Sequence, residues 1–303
     1  MGVFKKLLKD IARNKCVYLM ALPVIAFYIT FCYVPMGGML IAFQDYSPVR
    51  GIWGSKWIGL ENFIGFFTDY QFFRLIRNTL LLSAYLIIFS FPAPLVLALL
   101  INELRSRPYK RVVQTISYLP HFISLVVVCG LIVDFTSSTG VVNQVLGFFG
   151  VPAVTFLMRP ERFRGIFVVS DIWQHVGWGS IIYLAALSSI DTQLYEAAII
   201  DGAGRFRQLL SVTLPSLLPT ITILFIMRIG HIMSVGYEKV ILLYNPTIYE
   251  TADIISSFIY RRGLLNADYG FSTAVGTFNS IVNFLFVWLA NRISKSLSEN
   301  SLW

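Results

Sequence analysis

The chain has 303 residues, of which 56% are hydrophobic and only 13% are charged. Soluble domains carry about 25% charged residues, so this composition excludes an ordinary water-soluble globular protein. The net charge of +8 does not indicate nucleic-acid binding, because the basic residues stand between apolar runs, where they anchor membrane proteins. Two of the three cysteines, Cys32 and Cys129, lie within apolar segments, so no disulfide framework is expected.

The N-terminal segment, residues 1–16, is predicted to form an amphipathic helix on the cytoplasmic surface of a membrane. Its apolar residues recur at the spacing of one helical face: Phe4, Leu7, Leu8 and Ile11. Its basic residues fill the other side: Lys5, Lys6 and Lys9. The apolar run that follows is too long for a cleavable signal peptide.

Residues 17–303 are predicted to form an all-α transmembrane domain, because each bilayer crossing needs roughly 20 apolar residues and several such runs are present. The six predicted spans are Val17–Phe43, Thr79–Ile101, Ile116–Phe135, Ile166–Ile190, Leu217–Val235 and Phe271–Ala290. The last span carries Asn279 and Asn283 at helical spacing. These amides must face protein or water, since lipid cannot satisfy their hydrogen bonds.

The distribution of Lys and Arg predicts the orientation of the spans. The segments before, between and after the predicted spans lie alternately on the two sides of the membrane. Basic residues are about twice as dense in the segments of one side as in those of the other. The denser set contains residues 1–16, 102–115, 191–216 and 291–303. The positive-inside rule therefore places both termini in the cytoplasm and residues 237–270 in a long outer loop.

The inner segment between the fourth and fifth spans, residues 191–216, contains Glu196-Ala197-Ala198 followed by Gly202 and Leu214-Pro215. Asp191 is predicted to cap a short helix over Thr192–Ile200, and Gly202 supplies the backbone freedom to end it. Small alanines permit close approach of a partner, and Glu196 offers one directed ionic contact. The segment is thus predicted to be a helical docking element.

This segment resembles the EAA loop of the permease subunits of bacterial ABC importers. That pattern is Glu-Ala-Ala, three residues, Gly, nine residues, Ile, one residue and Leu-Pro, and only Val212 departs from it, in place of Ile. Residues 34–46 resemble the maltose-type sugar branch, and residues 236–253 resemble the subgroup for fragments of complex polysaccharides. The resemblance implies that a cytoplasmic ATPase is contacted by Tyr195, Glu196, Ala197, Ala198, Asp201 and Gly202.

The resemblance also implies an assembly in the bacterial cytoplasmic membrane. It comprises a second permease subunit, expected to be a different chain, two cytoplasmic ATPase subunits, an extracytoplasmic solute-binding protein and an oligosaccharide. No Gly-x-x-x-x-Gly-Lys-Ser/Thr phosphate loop occurs in the sequence. The chain is therefore expected to be no enzyme and to bind no cofactor or metal, with ATP and Mg held by the separate ATPase. No nucleic acid is expected.

Polar residues within the fourth and fifth spans are candidates for a substrate pathway. Asp171, Gln174, His175 and Trp178 recur at i, i+3, i+4 and i+7 on one helical face. Arg228 and His231 lie one turn apart near the middle of the fifth predicted span. In maltose-type permeases the sugar sits between the helices that flank the EAA loop. Similarity of position implies that the sugar is approached by Trp173, His175, Trp178, Arg228 and His231, with Asn279 and Asn283 also assigned to the pathway.

Arg228 leaves two interpretations open, because a charge inside a span needs a partner. It forms a structural pair with Asp171, or it contacts the carboxylate of an acidic, uronate-containing sugar. The histidines allow a purely structural interior role as well. A secondary transporter explains such polar residues equally well but does not explain the EAA segment. A permease for another class of solute is the remaining alternative.

Overall fold

The computed structural model describes residue 10 and residues 13–297. Most of the predicted amphipathic helix of residues 1–16 therefore lies outside the described residues. The α-helices in chain order are α1 (Lys15–Tyr28), α2 (Val34–Met36), α3 (Gly51–Gly54), α4 (Glu61–Thr68), α5 (Phe72–Tyr85), α6 (Pro92–Glu103), α7 (Arg107–Tyr118), α8 (Leu125–Thr136), α9 (Val141–Gly147), α10 (Pro160–Ser188), α11 (Thr192–Ile200), α12 (Arg205–Gln208), α13 (Leu214–Ile229), α14 (Tyr237–Leu243), α15 (Tyr249–Ala252), α16 (Ile255–Tyr260) and α17 (Tyr269–Leu297).

Shorter elements join these helices. The 3₁₀ turns are Gly37–Phe43, Leu119–Phe122, Phe156–Met158 and Pro246–Ile248. The π-helical turns are Ile29–Tyr33, Leu86–Ser90, Leu209–Thr213 and Arg261–Leu265. Two strands, β1 (Gln44–Asp45) and β2 (Lys56–Trp57), pair antiparallel with Gln44 opposite Trp57. The described part of the chain is therefore almost entirely helical, as the sequence predicts.

The chain divides into two units. The first comprises Met1–Thr68 and Arg262–Thr277, and the second comprises Asp69–Arg261 and Phe278–Trp303. In the first unit, α1 buries none of its residues within this chain. The side-chain amide of Asn62 donates to the carbonyl oxygens of Ala42 (2.9 Å) and Gln44 (3.2 Å), which fixes the short hairpin against α4.

Within the described residues, five helical stretches are long and apolar enough to cross a membrane. They are Lys15–Phe43, Phe72–Glu103, Leu125–Gly147, Arg205–Ile229 and Tyr269–Lys295. The fourth predicted span corresponds to α10, which has 29 residues but carries Asp171, Gln174 and His175 and is not among the five. The total of six spans stays a prediction.

The third predicted span, Ile116–Phe135, is not one continuous helix. Helix α7 ends at Tyr118, and Pro120 lies in the 3₁₀ turn that follows. Proline lacks the amide hydrogen that a helix interior uses, so it commonly interrupts a helix or stands in the first turn of the next one. Helix α8 begins anew at Leu125, where the Ser124 hydroxyl accepts a hydrogen bond from the amide of Val127.

The fifth predicted span also ends earlier than expected, at Ile229 rather than Val235. Arg228 therefore lies at the C-terminal end of α13 and not near its middle, and His231 lies in the turn beyond the helix. The side chain of Asn283 supports the turn that follows the helix, because its carbonyl oxygen accepts a hydrogen bond of 2.9 Å from the amide of Met233. A side-chain acceptor thereby satisfies a backbone donor outside the helix.

An apolar core in the second unit packs α5, α8 and α10 against α14 and the segment that follows it. Its buried members include Leu82, Val128, Phe163, Phe167 and Val240. A second cluster, at the other end of α10, contains Ala98, Tyr183, Leu187 and Leu217. The core thus holds α10 along its whole length, which positions the polar residues near the middle of this helix.

A buried ionic network ties the segment after α14 to the core of the second unit. The Asp253 side chain is fully buried and accepts hydrogen bonds from both terminal nitrogens of Arg261, at 2.6 and 3.1 Å, and from the Ser257 hydroxyl at 2.8 Å. The side-chain amide of Asn78 donates to the carbonyl oxygens of Glu250 (2.9 Å) and Asp253 (3.0 Å). The guanidinium of Arg74 also lies 3.8 Å from this carboxylate. Removing the charge of Asp253 therefore leaves two largely buried guanidinium groups without their carboxylate.

We predict that Asp253→Asn destabilises the protein by about 3–5 kcal/mol, because it breaks a buried ion pair and strands the guanidinium of Arg261. The measurement is thermal unfolding of the purified protein in detergent. Asp268→Asn is the matched control, since Asp268 pairs with Arg262 at 3.3 Å and both side chains are 39% exposed. The control variant is expected to lower the stability of the protein by about 1 kcal/mol or less. Equal losses for both variants would contradict this account of the network.

Candidate functional site

A cavity of about 420 Å³ lies in the second unit beside the middle of α10. Its wall combines α10 with the end of α13, the turn after α13 and the first residues of α14. The charged, imidazole and amide side chains that line it are Asp171, Gln174, His175, Arg228, His231, Glu238 and Lys239. An adjoining space of about 440 Å³ shares four of these residues and adds Trp178. The structure thus brings together most of the residues that the sequence assigns to a pathway.

Helix α10 supplies three of these side chains because its polar residues recur at helical spacing on one face. Asp171 accepts a hydrogen bond from the Ser90 hydroxyl, and its carboxylate lies 3.3 Å from Nδ1 of His175, one turn along. Gln174 is 4% exposed, and its side-chain oxygen has no hydrogen-bond partner among the described residues. The amide oxygen is thus a buried acceptor without a partner beside the cavity.

Arg228 differs from Asp171 in having no ionic partner within the described part of the chain. It is exposed at the end of α13 and lines both spaces. The carboxylate of Asp171 lies beside His175 instead, so the pairing of Asp171 with Arg228 that the sequence leaves open is not the pairing observed. The guanidinium is left available to a group that enters the cavity.

Lys239 is a second cation at the cavity, and sequence reasoning placed it only in an outer loop. Its side chain is buried, with Nζ 3.4 Å from the carbonyl oxygen of Phe167 and 4.9 Å from the centre of the Phe167 ring. Burial lowers the pKa of Lys239, and the charge of Asp171 opposes that shift. The only sequence feature that could have pointed to Lys239 was the motif that begins at Gly236, but that motif does not show that α14 turns back onto α10.

The asparagines of the last helix hold the turn that carries His231. The side-chain nitrogen of Asn283 donates to the Ser234 hydroxyl at 2.9 Å, and that of Asn279 donates to the same oxygen at 3.4 Å. Neither asparagine is among the residues that line the cavity. Their observed contacts position the turn, and their assignment to the substrate pathway stays a prediction.

The two tryptophans of α10 lie in different surroundings. Trp178 stacks on His121 with ring centroids 4.6 Å apart and planes 3° apart, and Phe122 meets it edge-on at 5.5 Å. This contact depends on Gly177, where a Cβ atom would overlap the carbonyl oxygen of Ser117. Trp173 points instead into a separate apolar cavity of about 620 Å³ that none of the charged residues described above lines.

The EAA-like segment forms a capped helix away from this cavity. Helix α11 covers Thr192–Ile200 after Asp191, whose carboxylate accepts a 2.9 Å hydrogen bond from the amide of Gln193. It ends before Gly202, whose φ of +76° is a left-handed conformation that glycine favours. Ala198 is buried within the chain, and the Tyr195 hydroxyl lies 3.0 Å from that of Thr213.

The outward side of this segment combines charged and apolar groups. Glu196, Ala197, Asp201 and Gly202 are exposed. Ile199 and Ile200 lie beside them, 60% and 86% exposed. Such a surface suits helix-in-groove docking, in which apolar residues fill a groove and a charged residue fixes the register.

Comparison with known proteins decides the family. The family of binding-protein-dependent transport system inner membrane components matches residues 62–299. The chain belongs to this family. The permease is 45% identical over 300 residues to the polygalacturonan/rhamnogalacturonan transport system permease protein YteP of Bacillus subtilis (strain 168), with 99% of this chain and 94% of that protein covered.

Solved structures share the fold of this permease. One belongs to a bacterial ABC transporter involved in the import of the acidic polysaccharide alginate, with 48% identity, a TM-score of 0.90 and coverage of 97% of this chain and 99% of the other. Another is a bacterial alginate ABC transporter in complex with an alginate pentasaccharide-bound periplasmic protein, with 47% identity, a TM-score of 0.91 and coverage of 98% and 100%. The predicted family and the all-α membrane fold are confirmed.

Proposed function

We propose that this permease subunit carries an acidic, uronate-containing oligosaccharide across the bacterial cytoplasmic membrane and that Arg228 contacts the sugar carboxylate. The observation that carries the proposal is an arginine at the cavity wall without an ionic partner in the described chain. A planar guanidinium binds a carboxylate through two parallel hydrogen bonds. The relatives named above transport polygalacturonan, rhamnogalacturonan or alginate, which supports the same class of substrate.

The other residues of the cavity have separate roles in this proposal. The side-chain oxygen of Gln174, which has no partner among the described residues, accepts a hydrogen bond from a sugar hydroxyl, and His175 and His231 offer further hydrogen bonds. Trp178, supported by its stack on His121, presents an aromatic face to the apolar side of a pyranose ring. Lys239 adds positive charge at the end of the cavity formed by α14. Trp173 does not enter this proposal, because it lines a different cavity.

The proposed assembly pairs this chain with a second, different permease subunit, two cytoplasmic ATPase subunits and an extracytoplasmic solute-binding protein. ATP and Mg are bound by the ATPase and not by this chain. Helix α11 docks on the ATPase through Glu196, Ala197, Asp201 and Gly202, which are exposed, while Tyr195 and the buried Ala198 fix the helix to its own subunit. Both termini lie in the cytoplasm in this arrangement.

We predict that Arg228→Met lowers the apparent affinity for acidic oligosaccharides roughly 10- to 100-fold, because a hydrogen bond to a charged group contributes about 1.5–3 kcal/mol. The measurement is uptake by the complete transporter of an oligogalacturonate and of its carboxyl-reduced, neutral counterpart. The apparent affinity for the neutral sugar is expected to fall much less.

Arg228→Lys is the matched control for this variant. It keeps the positive charge and is expected to retain preference for the acidic sugar, although without bidentate geometry. Equal loss of acidic and neutral uptake in Arg228→Met would contradict the selector role. So would failed assembly of Arg228→Met that is restored by adding Asp171→Asn, since that result assigns Arg228 to a structural pair.

We predict that Glu196→Lys lowers both transport and substrate-stimulated ATP hydrolysis while the amount of transporter in the membrane stays normal. The exchange reverses the one acidic charge of α11 on a surface that is expected to meet the ATPase. Gln193→Lys is the control, because it places a lysine at an exposed position one turn earlier without removing an acidic group. Normal coupling in Glu196→Lys, or equal loss in both variants, would remove this specific contact from the mechanism.

A further inference from the structure

The apolar cavity that contains Trp173 is separate from the proposed sugar pathway. It is a groove of about 620 Å³ between α10 on one side and α8 and α9 on the other. Its apolar wall residues are strongly exposed within this chain: Val169 is 67% exposed, Phe135 48% and Trp173 46%. A surface of this kind in a membrane protein is covered by lipid or by another subunit.

The groove offers almost no hydrogen-bonding capacity to an occupant. The hydroxyl of Thr136 donates to the carbonyl oxygen of Ile132 at 2.7 Å, and that of Ser170 donates to Ile166 at 2.6 Å. Each hydroxyl is therefore satisfied by its own helix. A sugar would lose its hydration without replacement here, so the groove does not suit the substrate that the other cavity suits.

A single charged residue stands at one end of the groove. The guanidinium of Arg162 lies over the Phe156 ring, with Cζ 4.6 Å from the ring centre. No carboxylate of the described chain lies within ion-pair distance of it. Arg162 is in the first turn of α10, eleven positions before Trp173 on the same helix. A cation at that position complements a phosphate group.

The length of the groove fits one acyl chain. Trp173 lies eleven positions after Arg162 on α10, a rise of roughly 16 Å along a helix. One leaflet of a bilayer has a hydrocarbon depth of about 15 Å, half of the full core. Gly165 keeps the groove open near its charged end, since a Cβ atom there would meet nothing within 4 Å.

From these observations we infer that the groove binds the acyl chain of an anionic phospholipid, with its phosphate on Arg162 and its hydrocarbon chain extending to Trp173. The apolar wall excludes a polar occupant, and the unpaired guanidinium selects an anionic headgroup over a zwitterionic one. The site lies on α8, α9 and α10, apart from the cavity that contains Arg228, and it is independent of the sugar proposal.

The test uses the complete transporter in nanodiscs that contain increasing fractions of brominated phosphatidylglycerol or brominated phosphatidylcholine. Bromine quenches tryptophan fluorescence at short range, and the Trp173 contribution is the difference between the unaltered protein and Trp173→Phe. We expect half-maximal Trp173 quenching at a mole fraction at least threefold lower for phosphatidylglycerol. Arg162→Gln should abolish this preference, whereas Arg159→Gln, at a neighbouring exposed arginine, should keep it.

Gly165→Leu provides a second variant that does not alter charge. Its side chain enters the open space of the groove and should reduce Trp173 quenching by both lipids. Equal quenching by the two lipids, or a preference unchanged by Arg162→Gln, would overturn the anionic site. Absence of any Trp173-dependent quenching would also overturn it, because a partner subunit would then cover the groove.

Discussion

The hydrogen bonds that Asp171 receives from Ser90 and His175 decide which charged groups of the cavity remain unpaired. A carboxylate inside an apolar protein needs hydrogen-bond donors, and Asp171 obtains them from Ser90 and His175, the latter one turn away on the same helix. Because this need is met by close neighbours, the carboxylate makes no ion pair with Arg228. The charge of Arg228 thus remains free to select a substrate, which is the property on which the proposed function depends.

Backbone geometry beyond the helices places the other groups around that pair. Helix α13 ends at Ile229, and Asn283 holds the turn that follows through the amide of Met233. This turn carries His231 to the cavity and leads the chain into α14, where Lys239 packs on Phe167 of α10. The acidic and basic groups therefore converge from three elements, although only α10 presents a face that periodicity could reveal.

The sequence could predict features whose cause is local. Asp191 and Gly202 bound α11 because a cap and a left-handed glycine act within one turn, and the face of α10 follows from helical spacing. The sequence could not place Lys239 or His121, because their positions depend on contacts between distant segments. Lys239 packs on Phe167, and His121 packs on Trp178 across the close approach at Gly177.

The ends of two helices, at Tyr118 and Ile229, also differ from the predicted spans. The sequence stays hydrophobic through Pro120 and through Ile232, but the α-helix ends before each of these residues.

A structure of the complete transporter, trapped with a uronate oligosaccharide inside, tests the central claim most directly. The account predicts a sugar carboxylate within hydrogen-bond distance of the Arg228 guanidinium, with Asp171 still held by Ser90 and His175. A sugar bound in this cavity with its carboxylates turned away from Arg228, or an Arg228 side chain paired with Asp171 in that state, would contradict it.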